Sequence, residues 1–503
     1  VSSCCARRCL SWLLPFSLTL KRKDLAMRPN NVAFDVCRHY VVDLGQEVDP
    51  VLVKMIDGLR RSRDIAGLAS CSRHFDCAKH SVKEFRFLRQ IEAFFKKNSQ
   101  FVQPEVCSKA AEDSFKKAEI QCSRTNNRLR PHVLNLSGLR PQRMKQVMKM
   151  KQYIGTVLGN FSPFLDSLPS LVRVTPGATA HTNRRRSLPQ LKLKMKLYAP
   201  RKAHPYLKSL YHFHGFSVPR LVDCHTNRVE LVPKNWKTDR TIACEPEGVL
   251  PLQLAFDSYA KKRLRFYGID LSDQSANKRL AKVASIDGSL ATVDFSAASD
   301  TIAYNAVSLV FPSDWLRFLM DVRTPAYRGV FGRGVYSKFS SMGNGSTFAI
   351  ETLMFAAACY AVGSRRFKVY GDDVVIETEL FEAYLDLTRF LGFTINEDKS
   401  FTSGPFRESC GGDYFDGIDV TPVFIRSDDT RKACLCHLVN SLACLTFPGG
   451  SLEEYLILLV RSNKLPFVPY NESSLSGVWI DPAKARNLGI LKRAGYKGKK
   501  VDW

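Results

Sequence analysis

The chain has 503 residues, 45% hydrophobic and 24% charged, a balance that suits folded domains and excludes wholesale disorder. Its 74 Lys and Arg against 48 Asp and Glu give a formal net charge of +26, which calls for a polyanionic partner without naming a reaction. The length exceeds what one core supports, so roughly two or three sub-domains are expected.

At the start, the apolar run Leu10 to Leu20 lies between Arg7-Arg8 and Lys21-Arg22-Lys23. It imitates the core of a secretion signal, but it is too short to span a bilayer and no small-residue cleavage site follows. Residues 1–26 read as an extension ahead of a start at Met27, the alternative being a non-standard start codon at Val1. No other stretch is long and apolar enough to cross a membrane, and no membrane partner is expected. The 15 cysteines are odd in number and irregularly spaced, which reads as reduced thiols in an intracellular setting.

From Met27 to Ser170 the pattern is mostly helical, most clearly over His80 to Lys97 (HSVKEFRFLRQIEAFFKK). The spacing Cys71-x2-His74-x2-Cys77-x2-His80 resembles a metal site, but ligands three apart on one helix turn away from a common ion. It reads as packing and surface, as do Cys434, Cys436 and His437. The basic run Arg140 to Tyr153 (RPQRMKQVMKMKQY) is either a solvated helix face or a nucleic-acid contact. After a turn at Pro176-Gly177 come Arg184-Arg185-Arg186, then LKLKMKLY, whose alternating Lys192, Lys194 and Lys196 predict a strand with one basic face.

From about residue 230 to 425 short strands alternate with helices. Ala291 to Phe295 (ATVDF) is a buried-type strand, and a helix is expected from Ser299 onward. Glu351 to Val362 (ETLMFAAACYAV) is a core helix. Phe367 to Glu377 (FKVYGDDVVIE) is two strands joined at Gly371-Asp372. Leu380 to Leu391 is an amphipathic helix stopped by Gly392, with a further strand opening at Phe393-Thr394-Ile395. The expected fold class is α+β, a sheet with helices on one face.

Three segments carry chemistry. Adjacent carboxylates Asp372 and Asp373 at the tip of an apolar hairpin repel one another unless a cation is bound. Asp294 ends an apolar strand, where a bare carboxylate is equally unfavourable, and Ser299 and Asp300 follow within reach of a ribose or as a helix cap. Between these, Ser340 to Phe348 (SSMGNGSTF) leads small residues into the core helix, with Asn344 offering donor and acceptor to a 2′-hydroxyl. Lys234, Lys237 and Arg240 concentrate positive charge suited to a triphosphate, and Lys399 is placed to protonate departing pyrophosphate.

Taken in order, KTDR, ACEPEG, GIDLSDQSANKRLA, DFSAASD, SMGNGSTF, YGDD and FRESCGGDYFDGIDVTP resemble the RNA-directed RNA polymerase (replicase) subunit of the positive-strand RNA bacteriophages, the levivirus group. The likeness covers about Lys234 to Ile425, with a weaker echo at PGATA. It implies a right hand of fingers, palm and thumb, the palm an antiparallel sheet packed on helices. Residues 27–230 would be N-terminal region and fingers, 231–425 the fingers and palm core, and 426–503 a short thumb with a basic tail around Lys492, Arg493, Lys497, Lys499 and Lys500. By the same resemblance Asp294, Asp372 and Asp373 hold two Mg²⁺ ions, for which Mn²⁺ can substitute. Lys234, Lys237, Arg240, Ser299, Asp300, Ser341, Gly343, Asn344 and Thr347 would bind the nucleotide, and Arg407 to Pro422 would link palm to thumb. Implied partners are single-stranded RNA template, nascent RNA, ribonucleoside triphosphates, host translation elongation factors and a ribosomal protein, in the cytoplasm of an infected bacterial cell. Initiation without a primer is implied as well. Two rivals remain: a reverse transcriptase, which shares the Tyr-x-Asp-Asp turn, and a non-catalytic basic RNA-binding protein.

Overall fold

The computed structural model describes residues 32–75, 81–427 and 429–481. The Met27 start, the first 26 residues, Cys77, His80 and the basic tail lie outside the described residues. The chain divides into two compact units that do not follow chain order. One joins the residues up to Gln103 with Lys234–Lys237 and the chain from Pro422 onward; the other holds Pro104–Pro233 and Thr238–Thr421.

The first unit is helical. Val32–Leu44, Pro50–Arg61, Val82–Lys96, Lys432–Leu442 and Ser451–Ser462 surround a core that includes Phe34, Tyr40, Phe87, Phe94, Phe95, Leu435 and Leu456. The Val82–Lys96 helix lies within the predicted span His80 to Lys97, and it starts there because Ser81 and Glu84 form a capping box, satisfying two amides the first turn leaves open. Cys71 lies in a short 3-10 turn, Cys71–His74, and its buried thiol donates to the Leu88 carbonyl.

In the second unit, an antiparallel sheet orders its strands Leu290–Val293, Asp373–Glu377, Lys368–Tyr370. Strand alternation sends Ala291, Val293, Val374 and Ile376 into the main core with the buried helix Thr347–Val362. Leu290 and Val375 point the other way, onto Leu280 and Ala284 of the helix Ser275–Asp287. Helices therefore cover both faces, which corrects the one-face expectation. The continuous apolar composition of the strands, without alternating polar residues, is the reason.

Two further expectations change. The LKLKMKLY segment is a short helix, Pro189–Lys192, then a turn, and only Leu197–Ala199 forms a strand. Lys192 is buried, donating to the carbonyls of Thr175 and Gly177, so its charge serves the Pro176-Gly177 turn and not a basic strand face. Phe393-Thr394-Ile395 makes only an isolated bridge, Ile395 to Phe295. The helix Phe381–Phe390 does stop at Gly392, whose φ of 98° is easily reached only without a Cβ. On the basic helix Pro141–Leu158, Lys145 and Lys151 are exposed while Val147, Met150 and Ile154 face the core.

Arg407 ties the sheet to the segment that follows it. Fully buried, its guanidinium donates to the carbonyls of Leu290, Thr402, Ser403, Gly404 and Phe406. Arg407→Met strands those acceptors in a dry site and is expected to cost about 3 kcal/mol or more. A urea midpoint read at unchanged slope measures it, and a loss below roughly 0.5 kcal/mol would refute this role.

Candidate active site

The hairpin turn is set by Gly371. Tyr370 pairs with Asp373, leaving Gly371-Asp372 as a two-residue loop, and Gly371 has φ 62°. A Cβ there would fall 2.5 Å from the Phe348 ring, so only glycine permits both the turn and the packing. Across the sheet, Leu290 pairs with Glu377 and Val293 with Val374, so the next step in register sets Asp294 opposite Asp373. Residues almost eighty apart in sequence thus end on one edge of one sheet.

The cost of that placement appears in the carboxyls. Burial pushes the Asp294 carboxyl up to about 6; Lys399 opposes the rise and Asp372 adds to it. Burial pushes Asp373 up to about 7, opposed by the Cys410 amide and reinforced by Asp372 and Asp294. Several contacts hold the group in place. Asn396 Nδ2 donates to Asp294 Oδ2 at 2.8 Å, and Lys399 Nζ lies 3.8 Å from the same oxygen. The Cys410 amide donates to Asp373 Oδ1 at 3.1 Å. Lys399 is itself held protonated: burial works against its charge, but Glu408, Asp294, Asp373 and Asp372 outweigh that. Two non-glycine residues beside the site, Ala297 and Cys410, have φ of 51°, a local backbone cost of about 1 kcal/mol each.

The donor set fits a divalent cation. Crowded carboxylates held above their ordinary range are what a nearby cation relieves. Among the described residues no three His, Cys, Asp or Glu side chains form a complete metal cage.

The residues after Asp294 do not start a helix as expected. Ala298–Asp300 is a single 3-10 turn, and the helix begins only at Tyr304. Neither Ser299 nor Asp300 acts as a helix cap. Ser299 Oγ donates to the buried carboxyl of Glu351 at 3.2 Å. Asp300 Oδ1 accepts from Lys338 Nζ at 2.8 Å, and this fully buried lysine also lies 3.6 Å from Glu119. Rings of Phe115 and Tyr336 lie 4.5 and 5.1 Å from the same ammonium.

The small-residue segment folds largely on itself. Asn344 Oδ1 accepts from the amide and hydroxyl of Ser346, and the Ser341 carbonyl accepts from Asn344 N and Thr347 Oγ1. Gly343 lies against the strand Asp239–Cys244, where a Cβ would come 2.3 Å from the Ala243 carbonyl oxygen. The cationic block is divided: Lys234 and Lys237 belong to the first unit and Arg240, exposed, to the second. Lys237 Nζ lies 5.1 Å from the Trp236 ring.

Sequence reasoning missed Glu351, Asn396, Glu408, Lys338 and Glu119. Glu351 carried a signal, a single acid in an apolar helix; burial and Asp372 push its carboxyl well above the usual range. Asn396 lies three residues before Lys399 and Glu408 inside FRESCGG, but their target became visible only with the sheet assembled.

The second unit thus carries an antiparallel sheet with acids gathered at its hairpin end. The family described as RNA replicase, beta-chain, matches residues 39–461, and the chain belongs to that family. It is 38% identical over 403 residues to the RNA-directed RNA polymerase subunit beta of Escherichia virus Qbeta, covering 76% of this chain and 67% of that one. It is 36% identical over 388 residues to the protein of the same name from Enterobacteria phage SP, covering 73% and 67%. Among solved structures, the RNA-dependent RNA polymerase of BmCPV at its elongation state aligns with a TM-score of 0.42 and 9% identity, over 64% of this chain and 33% of that one.

The raised carboxyls set a pH dependence. Asp294 and Asp373 sit at about 6 and 7 against an ordinary 3.8, so folding favours their protonated forms. That stabilisation is full below the ordinary value and is lost as pH rises through about 6 to 7. Without divalent cations, the unfolding temperature should therefore fall as pH rises through this window. Added Mg²⁺ should restore it above the window and do little below it. A Mg²⁺ effect equal at both ends would refute the assignment.

Proposed function

We propose that the chain copies a single-stranded RNA template by adding ribonucleoside triphosphates to the 3′-hydroxyl of a nascent RNA, and so replicates a viral positive-strand genome. Membership of the replicase family supports the reaction. The single observation that carries the site assignment is the gathering of Asp294, Asp372 and Asp373 at one sheet edge, where Asp372 raises both Asp294 and Asp373.

In this reading Asp294 and Asp372 hold divalent cations, with Asp373 setting negative charge behind them. Two bound Mg²⁺ ions, or Mn²⁺ in their place, would lower the barrier to hydroxyl attack and neutralise the leaving pyrophosphate. Asn396 fixes the Asp294 carboxylate, since its amide already occupies one oxygen. Lys399, counter-ion of the cluster, carries the proton and charge that a departing pyrophosphate needs. Asp300, held by Lys338, and Ser299 read the ribose, with Asn344 offering its amide hydrogens. Ser341, Gly343 and Thr347 shape the backbone beneath the incoming nucleotide. Lys234, Lys237 and Arg240 meet its phosphates. The enzyme initiates without a primer and acts in the cytoplasm of an infected bacterial cell. Host translation elongation factors and a ribosomal protein are its partners there.

The test uses the purified chain, supplemented with host extract where needed, on a defined RNA with Mg²⁺. Asp372→Asn should lower synthesis by at least about a hundredfold while RNA affinity changes by less than about twofold. Retained synthesis would remove Asp372 from the chemistry. Preferred incorporation of deoxyribonucleotides would favour the reverse-transcriptase reading. RNA binding with no incorporation by the unaltered chain would favour the non-catalytic one.

A further inference from the structure

Outside the carboxylate site, the second unit assembles a Cys–His–Glu group from three separate segments. Glu247, 5% exposed, accepts hydrogen bonds from the hydroxyls of Thr179 and Thr182 and from the His181 amide. Its other oxygen lies 3.2 Å from His181 Nδ1. The opposite ring nitrogen, Nε2, lies 3.9 Å from Cys224 Sγ. The imidazole cannot turn freely, because it stacks on Tyr198 with ring centres 3.8 Å apart and planes 14° apart. Cys224 is half-buried, and its Sγ also donates to the Thr226 carbonyl at 3.4 Å.

A carboxylate that orients an imidazole, which in turn faces a thiol, is the arrangement that activates a cysteine nucleophile. We propose that Cys224 is a reactive thiolate, paired with the His181 imidazolium, and a site of covalent modification by small disulfides. In the exchange, the Cys224 sulfur attacks one sulfur of the disulfide. A new S–S bond forms as the old one breaks, and the departing thiolate takes a proton from the imidazolium or from water. The small disulfide is the oxidant, reduced to one thiol, and Cys224 ends as a mixed disulfide.

The electrostatics agree. Burial alone would raise the Glu247 carboxyl, but hydrogen bonds from His181, Thr179 and Thr182 hold it down at about 2. Burial would lower His181; its bonds to Cys224 and Glu247 outweigh that and raise it to about 9. Burial would raise the Cys224 thiol, yet His181 and Thr226 bring it below its ordinary value. Other charged groups near this cluster are Asp223, which pairs with His225 and Arg201 at the rim, and Lys192, which acts on Glu247. By contrast, burial raises the thiols of Cys37, Cys71, Cys359 and Cys410.

The experiment exposes the full chain to oxidised glutathione across a pH series and maps each adduct by peptide mass spectrometry. Cys224 should be modified first, at neutral pH about tenfold faster than the other half-buried thiols Cys244, Cys434 and Cys444. Its rate should level off at a lower pH than theirs. His181→Gln should erase that advantage in protein whose unfolding temperature is unchanged. Should this variant not fold, the pH profile of the unaltered chain decides alone. Cys224 reacting no faster than the other three, or with the same pH midpoint, would overturn the proposal.

Discussion

Like charges crowded at a half-buried edge of a sheet are the constraint around which the second unit is arranged. The strands carrying Asp294 and Asp373 are apolar on both faces, with helices against each, so neither carboxylate gains much from water. An unfavourable arrangement persists only where the surrounding structure over-determines it. Here that support comes from several directions. The Asn396 amide and the Lys399 ammonium stand on the chain beyond the helix Phe381–Phe390, and the Cys410 amide comes from a strained left-handed residue. Arg407, three residues before Cys410, gathers the intervening carbonyls and joins them to the first residue of the Leu290–Val293 strand.

A second layer of buried charge lies next to the first. Glu351 receives the Ser299 hydroxyl, while Asp300 and Glu119 share the ammonium of Lys338. A buried lysine between two carboxylates is costly to desolvate, and its geometry gives more to specificity of position than to stability. It fixes the turn after Asp294 in one conformation. Several residues that the motifs singled out are likewise engaged by the protein itself. Thr347 donates its hydroxyl to the Ser341 carbonyl, the Asn344 side-chain carbonyl accepts from Ser346, and Gly343 makes room for Ala243. Such contacts preorganise a loop at the head of a buried helix, which is how a site gains precision from a rigid element.

Much of this was legible in the chain. Apolar runs bounded by glycine gave the hairpin and the core helix, and helical spacing over His80 to Lys97 gave the helix Val82–Lys96. Adjacent acids in an apolar hairpin are improbable without a cation, so Asp372 and Asp373 announced themselves by electrostatics alone. The errors have one source. LKLKMKLY alternates like a strand, but the carbonyls of Thr175 and Gly177 needed a donor, and Lys192 turned inward to supply it. The helix expected from Ser299 yielded to the bonds of Ser299 and Asp300 to Glu351 and Lys338.

By itself, then, the order of residues determined the hairpin strands, the turn at Gly371, the crowding of acids beside it and the excess of basic charge. Those properties are local, since they depend on periodicity, on backbone freedom and on the cost of like charge between near neighbours. Only the tertiary structure decided which distant groups answer those acids: Asn396 and Lys399 for Asp294, Cys410 for Asp373, Glu351 for Ser299, Lys338 for Asp300. It also decided that His181, Cys224 and Glu247 meet. Partners across long stretches of chain are chosen by register and packing, which no short window of sequence encodes.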